Sequence, residues 1–120
     1  MSAPQTLKLN ERQIDELAGP GGQLGFKLYF RTRPRLPTAG SDVLIEVPAG
    51  NTLSRLELDA LGNLRFVRGA GGSGDVQTAA VPVDDMLDLR GWHIFLLWRP
   101  DGVVLHVGDV ERRRGIRSSR

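Results

Sequence analysis

Few groups in this chain can do chemistry, and their spacing limits what they do. His93 and His106 are the two histidines, and there is no cysteine. Zinc wants three or four nitrogen or sulfur ligands, so two imidazoles alone make a poor site. Asp84, Asp85 and Asp88 form the densest acidic cluster. A calcium ion takes about six to eight oxygens from several loops, of which three carboxylates supply a part. The same aspartates also cap a tight turn, and that plainer reading is preferred. No metal site and no cofactor are assigned. The serines at 2, 41, 54, 73, 118 and 119 lie in no Gly-x-Ser-x-Gly nucleophile elbow. The run Gly69–Gly74 (GAGGSG) lacks the Lys-Ser/Thr and the helix start of a phosphate-binding loop, so it reads as a connecting loop.

Arginine is the more informative residue. Arg31, Arg33 and Arg35 recur at every second position, which on a strand puts three guanidinium groups on one face. Such a stripe suits an acidic partner surface or phosphate; the alternative is an ordinary solvated strand face. A second group, Arg112, Arg113, Arg114, Arg117 and Arg120, sits in the last stretch against Glu111 alone. Val110–Arg120 thus carries +4 in a chain whose total is +2, so the remaining residues sum to −2. A basic end is either solvated or held by the fold or a partner. No aromatic interleaving or recognised motif accompanies it, which argues against nucleic acid.

The elements that must position these groups are mostly strands. Gly91–Gly108 (GWHIFLLWRPDGVVLHVG) holds two β-branched and aromatic runs about Arg99-Pro100-Asp101-Gly102, a β-hairpin with turn residues where a turn needs them. Its first strand is apolar at nearly every position, so both faces are expected to be covered. Two layers of sheet follow. On this strand Trp92 and Trp98 share a face with Ile94 and Leu96 and are expected in the core, with His93 a hydrogen-bonded structural side chain. Tyr29 is the exposed aromatic, flanked by Lys27 and Arg31. Further strands are expected at Leu24–Arg33, Val43–Val47, Leu53–Asp59, Asn63–Arg68 and Val76–Val83, the last an edge because of Pro82. Leu56, Leu58, Leu64 and Phe66 are expected inward. Val83 to Leu89 reads as a turn or a single helical turn. Asn10 with Gln13 three residues on is a capping box, and Gly19-Pro20 a stop, which predicts a helix over 11–18. At 120 residues the chain is read as one domain. It divides into an arm (1–22), a sandwich (24–109) and a basic tail (110–120). The N-terminus has no apolar signal core and no run is long enough to span a membrane, so a cytoplasmic or particle-bound location is expected.

The order of these pieces resembles the laminin-G or concanavalin-A-like sandwich family. The residues that carry the likeness are Phe26–Thr32 (FKLYFRT), Leu56–Phe66 (LELDALGNLRF) and Gly91–Asp109, with its Trp-His strand. The resemblance implies an all-β antiparallel sandwich of jelly-roll type, preceded here by one short helix. Family members continue with further strands where this chain has only Val110–Arg120. The sandwich is therefore small, completed by the N-terminal segment, or completed by a neighbouring subunit. The family's calcium and glycan loops match no residues here one by one.

Taken together, a shortened sandwich without a deep cleft argues against catalysis, glycoside chemistry by paired carboxylates included. The expected role is an accessory subunit that oligomerises and docks on a larger assembly, a virion decoration or cement protein being one form. Arg31, Arg33, Arg35, Arg112, Arg113, Arg114 and Arg117 are the expected partner contacts. The alternative is a lectin-like glycan-binding module using Tyr29, Asp84 and Asp85.

Overall fold

The computed structural model describes residues 5–49, 52–69 and 76–119. Residues 1–4, 50–51, 70–75 (the GAGGSG run beyond Gly69 among them) and Arg120 lie outside these. The helix forms where its caps dictate. Helix α1 spans Glu11–Ala18. Asn10 Oδ1 accepts from the Gln13 N–H at 2.9 Å, and Gln13 Oε1 accepts from the Asn10 N–H at 3.0 Å. Two otherwise orphaned donors are thereby satisfied. Leu17 is the buried contact of the helix, and Ile14 packs against the core beside it.

Nine strands follow the chain among the described residues: β1 Gln5–Thr6, β2 Gly22–Tyr29, β3 Ser41–Ala49, β4 Thr52–Asp59, β5 Asn63–Gly69, β6 Val76–Pro82, β7 Gly91–Arg99, β8 Gly102–Asp109 and β9 Arg117–Ser118. They make an all-β sandwich of two sheets, ordered β1-β3-β4-β5-β6 and β2-β7-β8-β9. Every pairing is antiparallel except the short β1–β3 pair, which is parallel. The chain thus leaves the second sheet after β2, builds β3 to β6 as a meander, and returns for β7 to β9. β6 is an edge strand, as Pro82 requires. The N-terminal segment does help complete the sandwich, through β1 and α1.

The core lies between the sheets. Leu56, Leu58, Leu64 and Phe66 of the first sheet and Trp92, Ile94, Leu96, Leu105 and Val107 of the second are all fully buried. Each such side chain contributes about 1.5–3 kcal/mol on leaving water. Both tryptophans keep their indole N–H satisfied, Trp92 donating to the Met86 carbonyl at 3.0 Å and Trp98 to the Glu16 carbonyl at 3.1 Å. Phe30 meets Trp92 edge-on, with ring centroids 4.7 Å apart.

Arg68, on β5, is the unexpected core residue. Its guanidinium donates to the Leu17 carbonyl at 3.0 Å, to the Gly19 carbonyl and to Gln77 Oε1 at 2.9 Å. It also stands over the Trp98 ring, 5.6 Å from its centroid. The carbonyl end of α1 has no basic residue of its own in its last turn. Arg68 supplies the missing cation and clamps helix to sheet.

Three expectations are corrected. β2 stops at Tyr29, because the Phe30 N–H makes the last bond to β7's side, at the Arg90 carbonyl. Arg31, Arg33 and Arg35 are exposed on an irregular segment and share no strand face. β3 does not stop at Val47 but runs on through Pro48 to Ala49 opposite β4. Lastly, β7 is inner in its sheet yet covered on one face only: Phe95 is half-buried and Leu97 37 % exposed.

Candidate contact surface

The open face of the second sheet follows from pairing register. Opposite residues share a face, so Leu97 stands beside Val104 and Gln23, Phe95 beside His106 and Gly25, and His93 beside Gly108 and Lys27. The rings of Phe95 and His106 are 6.1 Å apart, centroid to centroid. The glycines on this face make room for large side chains. A Cβ on Gly25 would sit 3.1 Å from the Phe95 ring, and one on Gly108 would sit 3.3 Å from Ile116. Phe95 therefore leans over β2 and Ile116 folds over β8. Ile116 is 77 % exposed.

The outer face of the first sheet differs in kind. Arg55 pairs with Glu57 there, and Arg65 lies 3.5 Å from Asp59. Charges are neutralised over the middle of that face, with Leu53 and Val76 exposed toward the strand ends. On the second sheet's strands the outward residues include one lysine and one arginine, Lys27 and Arg99, around apolar and imidazole groups.

Two open hollows mark the ends of this face. One, about 560 Å³, is lined by His93, Phe95, His106, Arg112, Arg114 and Ile116, among others. The other, about 760 Å³, lies at the β7–β8 turn between Glu16, Leu97, Arg99, Asp101 and Val104. Around the first hollow the chain makes a tight loop on Asp109, a buried carboxylate. Asp109 accepts from the backbone N–H of Glu111 at 2.9 Å and of Arg113 at 3.0 Å. These bonds, Glu111's first, hold its carboxyl below the usual range despite desolvation. Arg112 is placed by this loop at φ 58°.

The structure brings together two groups that the sequence keeps apart. Arg117 makes a two-pronged ion pair with Asp85, its Nη2 lying 2.7 Å from Oδ2. Arg114 donates to the Asp85 carbonyl and stands 3.6 Å from Asp88. Ser119 then bonds Leu105 twice, its N–H donating to the carbonyl and its hydroxyl oxygen accepting from the N–H, both at 2.9 Å. The basic end is docked on the acidic turn. Asp85 has its carboxyl lowered chiefly by the Arg117 hydrogen bond, and Arg117 is raised in turn. Arg113 pairs with Asp109 at 3.6 Å and Glu111 at 3.2 Å.

The expected contact residues therefore separate. Of the tail set, Arg113, Arg114 and Arg117 are engaged within the chain, and Arg112 is left beside the hollow. Arg31, Arg33 and Arg35 lie elsewhere, on the segment after β2. The glycan set does not converge either: Tyr29 is on edge strand β2, while Asp85 is tied to β9 at the opposite edge. Those edges are about 14 Å apart, three strand spacings. Asp84 is exposed beside Asp85. Missed by the sequence reading was the outward placement of His93, expected as a hydrogen-bonded structural side chain but exposed on the open face, with His106 one strand over. The hairpin register, fixed by the Arg99-to-Gly102 turn, sets the two imidazoles diagonally, His93 opposite Gly108 and His106 opposite Phe95. Among the described residues, no group of three or more His, Cys, Asp or Glu is placed to hold a metal. Among them, too, no helix is long and apolar enough to cross a membrane.

Comparison with protein-family models, with curated proteins and with solved structures gave no match. The laminin-G-like resemblance thus rests on the residues between Phe26 and Asp109 alone.

Proposed function

We propose that this chain is a non-catalytic assembly module, an accessory subunit that docks through the outer face of β2-β7-β8-β9. One observation carries the reading: that face presents Phe95, Leu97, Val104 and Ile116 toward solvent, while the middle of the opposite sheet's outer face is dressed in ion pairs and only its ends expose Leu53 and Val76 among the described residues. Contiguous apolar surface on a small sandwich marks a place where another surface sits. Docking through the tail has less support, because Asp85, Asp88, Asp109 and Glu111 already hold three of its arginines. A virion decoration or cement subunit is one form that such a module takes.

The test is sedimentation of the tagged chain in extracts of its own cells. The reading expects it in fractions far heavier than one 13.2 kDa chain. It also expects Leu97→Arg to return it to chain-sized fractions with an unchanged circular dichroism spectrum. A chain that sediments identically with and without the substitution contradicts it.

A further inference from the structure

We propose that the occupant of this face is a second copy of the same chain, related by a two-fold axis that lies in the plane of the contact, at right angles to β7. The inference rests on the reading of the face as a contact surface and names what covers it. The argument is charge complementarity along β7. Where β7 begins, the hollow is rimmed by His93, His106, Arg112 and Arg114, with Lys27 on the neighbouring strand. The acidic groups there are committed: Asp109 to two backbone N–H groups and Arg113, and Glu111 to Arg113. Arg114 is turned to Asp88, which leaves Arg112 as the guanidinium on this rim that makes no ion pair with the described residues.

Where β7 ends, the other hollow holds Glu16 and Asp101 against Arg99, a net negative charge. The two ends stand about 20 Å apart, the length of β7 from His93 to Arg99. A two-fold axis near Phe95 and Leu97 lays the Asp101 turn of each copy over the Arg112 loop of the other. The apolar strip then meets itself. A two-fold axis running along β7 would instead set like charge on like. An isologous contact makes each favourable pair twice, so a modest imbalance at either end is doubled.

Sedimentation equilibrium of the purified full chain tests this. The expected mass is twice 13.2 kDa, falling toward one chain as salt is raised. Asp101→Lys and Arg112→Glu each weaken the dimer by roughly tenfold or more, the scale of a like-charge contact at an interface. The double variant restores it, because both charges are exchanged. Both residues are exposed on loops, and circular dichroism confirms folding. A wild type that stays at one chain mass up to its solubility limit overturns the proposal. So does a double variant that dissociates as readily as the singles. If the chain is monomeric yet its assembly in extracts still depends on Leu97, only the identity of the occupant falls. If neither holds, the reading of the face falls with it.

Discussion

At the scale of single residues, the strongest demands come from charges placed where solvent is scarce. Arg68 is almost wholly buried, and burial pulls its guanidinium's pKa down from the ordinary arginine value. It remains protonated, since arginine starts so far above neutrality. Replacing it by Met removes the charge but leaves the Leu17 and Gly19 carbonyls without their donor. Urea titration of Arg68→Met is expected to show a loss of about 2–4 kcal/mol, the cost of orphaned buried acceptors plus lost charged bonds. An unchanged midpoint would mean those carbonyls find other donors. Asp85 makes a gentler case. Its carboxyl ionises at lower pH in the folded chain than in the unfolded one, chiefly through Arg117. Its contribution is therefore full above the ordinary carboxylate range near about 4, and lost as pH falls through the folded value. With Asp85 56 % exposed, the pair is worth less than about 1 kcal/mol. Hydrogen exchange at Ser119, whose N–H bonds Leu105, should quicken in Asp85→Asn with little change in global stability.

Among the elements, close approach between strands is decided by a glycine. A Cβ on Gly91 would lie 2.4 Å from the Leu28 carbonyl oxygen across the β2–β7 pair. No rotamer relieves a clash with backbone. Gly91→Ala is expected to cost more than about 2 kcal/mol, because the strands must separate where Trp92 enters the core. Thermal unfolding followed by tryptophan fluorescence reads this directly, and a wild-type melt would contradict it. Most strands were legible in the sequence, since alternation over β2, β4 and β5 pins side chains to one face and the β-branched runs about a turn mark β7 and β8. The α1 caps were legible because Asn10 and Gln13 act within one turn. β1 and β9 were not, being two-residue strands fixed by neighbours distant in sequence. β2 looked longer than it is because Arg31, Arg33 and Arg35 keep its period after the partner strand has gone. The open face of β7 was misread for a chemical reason: Phe95 and Leu97 look like core residues whichever side they face. The docking of Arg117 on Asp85 joins groups 32 residues apart, and no local pattern announces it.

On the scale of the whole molecule, the two sheets divide the work. The first presents ion pairs outward and helps anchor α1 through Arg68. The second presents an apolar, imidazole-bearing face with opposite charge at its two ends. Stability and contact are thus assigned to different surfaces, so face substitutions should disturb association far more than folding. Leu97→Arg is expected to leave the unfolding midpoint within the small range of ordinary surface changes, about 0.5 kcal/mol. The central claim is that this face is covered when the chain is at work. Chemical labelling of the His93 and His106 imidazoles measures that cover, comparing the chain in its native extract with the purified chain at high dilution. The account predicts slower labelling of both rings in the extract, lost in Leu97→Arg. Equal labelling in the two settings would contradict it.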